Sequence, residues 1–447
     1  MKFLDLKNLV LNFSKSTVLK NILLVGVITL IVKVFGFYKE ILVASTFGLS
    51  VLLDTFLIAI LIPSFIQNVF INALKNIFIP NYIIEQNNGG NTSQFQSVIY
   101  IITLSISSIF FILIYFSSDY FLIKLFPGHT FEYYELINNQ LFYLLPCLFL
   151  WGINSILSGL LEIENKYFLS SISGVFSPIC IILCLFFFKD ALGDMVLAIS
   201  MLIGAIVSLI YMIFISLKNN LICLKKPKLN ANSLVMLKQL PPKVSSGLLS
   251  SVNDFVDQFF AAQLTIGSIA AMNYGIKVPS LIVSIVIMAM GNVLLPYFSR
   301  LISTNLLDAY NQLFKILKFV FFTSLIISVI IIIFSNEITS ILFERNQFDS
   351  DDVLIVSDLQ KLAFIYIPFL LCTLILVRFL TSINKNKFMA WVAFFSLVAN
   401  IILNSILIEK YEIYGLMLAT IIIHIFSFIF YVYFTHKQYR FAKLYTN

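Results

Sequence analysis

Charge is what this sequence has least of. Lys, Arg, Asp and Glu make up 11% of its 447 residues, against 60% hydrophobic. A soluble domain carries about 25% charged residues, so a water-facing surface cannot be assembled here. A cytosolic enzyme, a secreted module and a disordered chain are all excluded. Histidine is scarce as well: His129, His424 and His436 lie far apart. No HExxH motif, P-loop or Gly-rich nucleotide fingerprint occurs. The five cysteines are odd in number and sit in apolar runs or on a basic stretch. They form neither a disulfide framework nor a CxxC metal site. The alternating segments of about 10 residues that build an outer-membrane barrel are missing. No segment between apolar runs is large enough to fold as a domain of its own.

What is present is apolar length. Mean hydropathy is +0.97, and the apolar residues fall in blocks of about 20, the helix length that crosses about 30 Å of hydrocarbon. The fold class is therefore an all-α polytopic membrane protein. About twelve transmembrane spans are expected, near 20–46, 52–78, 95–117, 141–162, 168–188, 195–217, 241–264, 268–298, 310–335, 354–383, 388–408 and 413–434. Residues 1–20 are basic and broken by charges, so no cleavable leader is expected.

The net charge of +7 points to membrane topology rather than to nucleic acid, because Lys and Arg collect on cytoplasmic segments. With the N-terminus inside, seventeen Lys and Arg fall on inside segments and four on outside ones: Lys124, Lys189, Arg345 and Lys410. Both termini are then cytoplasmic. The longest basic stretch, Lys218 to Lys243, lies midway and divides the chain into two six-helix lobes, 1–222 and 223–447. A thin internal repeat relates them: LLDTFLIAILIPSF (52–65) against SIAAMNYGIKVPSL (268–281). Transporters use such repeats and place the substrate at the repeat interface.

Ionisable groups inside spans cost about 2.5–3.5 kcal/mol each on insertion scales and usually face water-filled space. The informative members are few: Lys33, Lys39, Glu40, Asp54, Lys75, Asp254, Asp257, Lys277 and Arg378. Lys33 and Lys39 are six residues apart, about 120° from eclipsed and about 9 Å along a helix. They can line a wide cavity, and with Lys277 make a central cationic site. A diphosphate suits it, because it accepts several charge-assisted hydrogen bonds at once. Plainer roles compete. Lys39 and Glu40 can pair at a helix end, and Lys75 can snorkel to the inner interface. Asp54 can cap its own helix. Lys277 can pair with Asp254 or Asp257, and His424 can simply pack.

Several stretches carry a resemblance. Residues 33–82, with KVFGFYKE, STFG and LDTF, resemble the opening of MurJ/MviN-type lipid II flippases of the MOP superfamily. VNDFVDQFF (252–260), NVLLPYFSR (292–300), LFERNQFDSDD (342–352) and LVRFLTSINKNK (376–387) are similar to later parts of that family, in order. The resemblance implies a V-shaped MOP-type fold in the bacterial cytoplasmic membrane. It implies alternating-access movement of an undecaprenyl-diphosphate-linked oligosaccharide to the outer leaflet, without enzyme chemistry. Lys33, Lys39 and Lys277 fall on functional arginines of the family, Arg378 on a further basic position, and Asp54, with Glu40, on gating positions. Asp257, Asn400, Asn404 and Thr420 match a sodium (Na+) site described in some members; no other cofactor is implied.

There are departures. Three arginines are lysines here, which lack the planar fork that grips phosphate. A helix-two arginine falls near Asn68, Ile276 replaces an acid, and Asn404 stands where a carboxylate is expected. The family usually has fourteen helices. The substrate is thus lipid II, for peptidoglycan, or a capsule or O-antigen repeat unit. A cation-coupled drug exporter is a weaker alternative, since it would want carboxylates where lysines stand. A membrane polymerase or ligase would need a large catalytic loop.

Overall fold

The computed structural model describes residues 17–446, whose regular elements are helices. Of residues 1–20, on which the expected absence of a leader rests, 1–16 lie outside the described residues. Along the chain come α1 (Thr17–Phe47), α2 (Val51–Ile66), α3 (Asn72–Asn87), α4 (Thr92–Leu125), α5 (Phe131–Leu144), α6 (Cys147–Ile163), α7 (Phe176–Phe187) and α8 (Val196–Lys218). Then follow α9 (Ala231–Ala261), α10 (Ser268–Gly275), α11 (Lys277–Thr304), α12 (Leu306–Ile333), α13 (Ser335–Phe343), α14 (Ser350–Ser382) and α15 (Asn386–Thr446).

The breaks have local causes. A π-helical turn, Gln67–Ile71, separates α2 from α3. Pro146 separates α5 from α6, because proline supplies no N–H to the turn. The 61 residues of α15 are two helices merged across Glu412, whose φ of 50° is not helical. That kink falls between the two last expected spans. Nine stretches of the described residues are long and apolar enough to cross a membrane, the last of them, Asn386–Leu444, being 59 residues long. Large apolar side chains such as Phe116 (80% exposed) cover the outside. On a soluble protein such a surface would aggregate; against lipid tails it is the ordinary state.

The chain groups into two compact units, Met1–Val43 with Thr55–Ser251, and Ala44–Asp54 with Val252–Asn447. Sequence charge places the division at 222/223. The structure carries the first unit on to Ser251 because the linker after α8 is fastened to it. Gln96 donates to the Leu221 carbonyl (2.9 Å) and accepts from the Cys223 N–H (3.0 Å), and Ser97 Oγ accepts from the Lys225 N–H (3.1 Å). Buried Glu85 accepts from the side-chain amides of Asn230 (2.7 Å) and Asn232 (2.9 Å). The core of the first unit joins Leu74 and Phe78 of α3, Phe95 and Ile99 of α4, Leu160 of α6 and Met212 of α8. That of the second joins Phe298 of α11, Tyr310 and Leu313 of α12, Phe379 of α14 and Tyr431 of α15.

Candidate functional site

In the first unit, α1 carries Lys33, exposed, and Lys39, whose Nζ lies 2.6 Å from Glu40 Oε1 with both side chains about one-fifth exposed. Lys39 is thus already charge-paired. Lys75 does not snorkel. It turns inward, 2.7 Å from Glu162 Oε1 and 3.0 Å from Ser158 Oγ, and Ser170 also donates to that carboxylate at 3.2 Å. The reason is packing: α3 lies against α6, so an inward rotamer reaches a carboxylate. Sequence alone gave no sign of this partner, which lies 87 residues on.

In the second unit, Asp54 caps a helix, but not its own. Its carboxylate accepts the N–H of Gly267 and, at 3.0 Å, that of Ala270, the opening of α10. The charge meets the positive end of that helix dipole. The segment before it is fixed as well. The Gln347 N–H donates to the Ser45 carbonyl (3.1 Å) and the Leu49 N–H to Asp352 Oδ2 (3.3 Å). Gly48, at φ +55°, sits where a Cβ would lie 2.3 Å from the Gln347 carbonyl oxygen. Only glycine fits both demands. Gly267, at φ +92°, faces Leu49 O in the same way, at 3.0 Å from a built Cβ.

Lys277 opens α11 and is half-buried. Arg378 is exposed and lines a small apolar recess of about 90 Å³ with Val286, Ile287 and Leu294. Lys277 and Arg378 belong to the second unit, Lys33 and Lys39 to the first. The Asp254 side chain lies outside the described residues. His424 packs, its ring stacked on Tyr366 at 4.7 Å between centroids.

The expected ion-site residues come together. Asp257 Oδ1 accepts from the amides of Asn400 (3.0 Å) and Asn404 (2.8 Å), and Oδ2 accepts from the Thr420 hydroxyl (3.2 Å). Asn400 and Asn404 share one helix face, four residues apart. Asp257, Asn400 and Asn404 are all buried. Asn404 Oδ1 is buried without a hydrogen-bond partner. One carboxylate, two amide oxygens and a hydroxyl are hard ligands with a single negative charge. They suit a monovalent hard cation rather than a transition metal, and the orphaned Asn404 oxygen is the acceptor such a cation would satisfy.

Comparison with known proteins settles the family. The family model described as "Lipid II flippase MurJ" matches residues 43–446. The chain belongs to the MurJ lipid II flippase family. A relative from Buchnera aphidicola subspecies Schizaphis graminum, named a probable lipid II flippase MurJ, is 29% identical over 377 residues, 82% of this chain and 72% of the relative. One of the same name from Aquifex aeolicus is 27% identical over 350 residues, 76% of this chain and 67% of the relative. Among solved structures, a lipid II flippase MurJ in an inward closed conformation matches at TM-score 0.80 and 24% identity, covering 94% of this chain and 90% of that one. An inward-facing multidrug transporter of the MATE family matches at TM-score 0.77 and 14% identity, covering 92% and 95%. At these identities the structural likenesses establish the MOP-type fold and nothing further. Within the MurJ frame, the sequence reading missed Glu162 as the partner of Lys75, Glu85 as the anchor of the linker, and Gly267 as the group that Asp54 holds. All three depend on partners far away in sequence.

Proposed function

We propose that this chain moves lipid II from the inner to the outer leaflet of the bacterial cytoplasmic membrane by alternating access. The observation that carries the reading is the MurJ family match across residues 43–446. It favours lipid II over a capsule or O-antigen unit and over a drug; the likeness to the multidrug transporter is one of fold. Movement makes and breaks no covalent bond, so the activity is transport rather than catalysis. Both termini are cytoplasmic on this reading, in line with the seventeen-to-four distribution of cations.

In this account Lys33, Lys39, Lys277 and Arg378 supply positive charge for the diphosphate. Lysine binds phosphate as a point charge, without the bidentate geometry of arginine. The Glu40 carboxylate 2.6 Å from Lys39 holds that cation until the diphosphate competes for it. The lipid tail stays among lipid chains. Asp54 holds the N-terminus of α10 and so fastens residues 44–54 to the second unit on the outer side. Release of that cap accompanies the opposite conformation. Substrate drives the change only by binding one state better than the other.

Asp257, Asn400, Asn404 and Thr420 would hold a sodium ion. When bound, the ion supplies one positive charge that offsets the Asp257 carboxylate. Without it that charge rests on the two asparagine amides and the Thr420 hydroxyl.

The test is complementation. Wild-type chain restores growth to a strain depleted of its own MurJ, and Lys39→Ala and Lys277→Ala insert at normal levels but do not. Failure of the wild-type chain, inserted and folded, to restore growth refutes lipid II as the substrate. Normal growth with Lys277→Ala removes that residue from the mechanism.

A further inference from the structure

One groove on the second unit serves none of the groups above. It lies between α12, α14 and the last turns of α15 and has a volume of about 520 Å³, within the range of roughly 300–1,000 Å³ typical of small-ligand sites. Its deeper wall is aromatic. The Phe321 and Phe428 rings stack at 6.1 Å, and Phe369 backs both at 5.6 Å. Its other end is polar. Tyr439 donates to Asn311 Oδ1 at 3.2 Å, and Arg440 Nε donates to His436 Nε2 at 3.2 Å. The Phe314 ring meets His436 and Tyr439 edge-on, at 6.1 and 5.7 Å, joining the two halves.

Lys318 marks the junction. It lines the groove, is exposed, and has no ion pair or hydrogen bond among the described residues. It sits twelve residues into α12, about 18 Å from the helix start, within the expected span 310–335. A cation at that depth calls for an anionic partner, and the local sequence has little to offer. Across α12 and residues 428–446 the only acid is Asp308, against Lys315, Lys318, Lys437, Arg440 and Lys443. The positive-inside reading puts this end at the inner leaflet, whose surface is anionic.

We propose that the groove binds an anionic phospholipid of the inner leaflet. One acyl chain lies against Phe321, Phe322 and Phe428. The phosphate lies among Lys318, His436 and Arg440, whose charge-assisted hydrogen bonds suit it. The size of the groove suits a single acyl chain better than a long polyprenyl tail. The proposal is independent of the substrate reading, because no residue proposed for lipid II or sodium lines this groove.

Native mass spectrometry of the purified full chain, titrated with phosphatidylglycerol or phosphatidylcholine of the same acyl composition, tests it. The first phosphatidylglycerol binds about thirtyfold tighter, from about fivefold for each of two cations. Lys318→Gln with Arg440→Gln removes the preference and leaves weak binding of both lipids. Val432→Trp, which fills the groove, weakens both. Melting temperatures near wild type show that the variants fold. Photoactivatable phosphatidylglycerol labels peptides within 311–322 and 428–440. Equal binding of the two lipids, a preference that survives the double substitution, or labelling elsewhere overturns the proposal. So does displacement of phosphatidylglycerol from the groove by undecaprenyl phosphate at equal concentration, which would assign it to the carrier lipid.

Discussion

Replacing Asp54 by alanine should loosen the start of α10 by an amount the structure lets one estimate. The Asp54 carboxylate is 2% exposed and accepts two backbone N–H groups, those of Gly267 and Ala270. A buried donor left without its acceptor costs about 1–3 kcal/mol, so two amount to roughly 2–6 kcal/mol. The lost charge at the helix N-terminus, worth up to ~2 kcal/mol, overlaps with that range. At 1.4 kcal/mol per factor of ten, local opening rises at least about 30-fold. Asp54→Asn keeps one acceptor oxygen but no charge, and should lose about 1–2 kcal/mol, or roughly 5- to 30-fold. The assay is hydrogen exchange read by mass spectrometry on a peptide spanning 264–275, in detergent. Exchange of its protected amides should run alanine fastest, asparagine between, wild type slowest. Membrane insertion stays normal, while complementation falls in the same order. Wild-type exchange in Asp54→Ala would refute the cap. Equal loss in the two variants would show that charge alone matters and that the counting of hydrogen bonds is wrong.

Other consequences can be checked alongside. Glu85→Ala leaves the Asn230 and Asn232 amides without their shared acceptor; at about 1.5 kcal/mol or more per hydrogen bond to a charge, exchange across 221–235 should rise roughly 100-fold, and no change would detach the linker from Glu85. Gly48→Ala places a methyl group 2.3 Å from the Gln347 carbonyl oxygen at φ +55°, which adds about 1–2 kcal/mol of left-handed strain to the clash; the melting temperature should fall, and an unchanged value would mean this turn relaxes freely. Sodium chloride should raise the melting temperature of wild type relative to potassium chloride, by about 2.7 kcal/mol of stability at a hundred times the dissociation constant. Asp257→Asn should abolish that difference, and a sodium effect that persists in it would place the ion elsewhere.

How much of this was legible in the sequence depends on how far apart the partners are. The membrane-helical class could be read because hydrocarbon demands apolar length locally, and the kink at Glu412 lies between the apolar runs 388–408 and 413–434. Asp257 could be picked out as a charge within a span, and the family resemblance added Asn400, Asn404 and Thr420. Lys75 was misread because its surroundings in sequence are apolar and its counter-ion is on α6. Asp54 was read as a cap of its own helix, whereas the helix it caps begins more than two hundred residues later, which no local pattern reveals. Glu85 drew no attention because it sits at the polar end of α3, where a carboxylate is unremarkable until the asparagines of the linker fold onto it. The lobe boundary followed the run of lysines, whereas the fold places it after the hydrogen bonds that hold that run.

The central claim, that this chain carries lipid II across a bilayer on a set of buried-segment lysines, is tested most directly in proteoliposomes. The purified protein is reconstituted with fluorescent lipid II, and the fraction reaching the opposite leaflet is followed by an impermeant quencher. Wild type should equilibrate the leaflets while phosphatidylcholine bearing the same fluorophore stays in place, and the Lys33→Ala, Lys39→Ala, Lys277→Ala triple variant should not exceed protein-free vesicles. Transfer by the triple variant at the wild-type rate, or no transfer by wild type, would contradict the account.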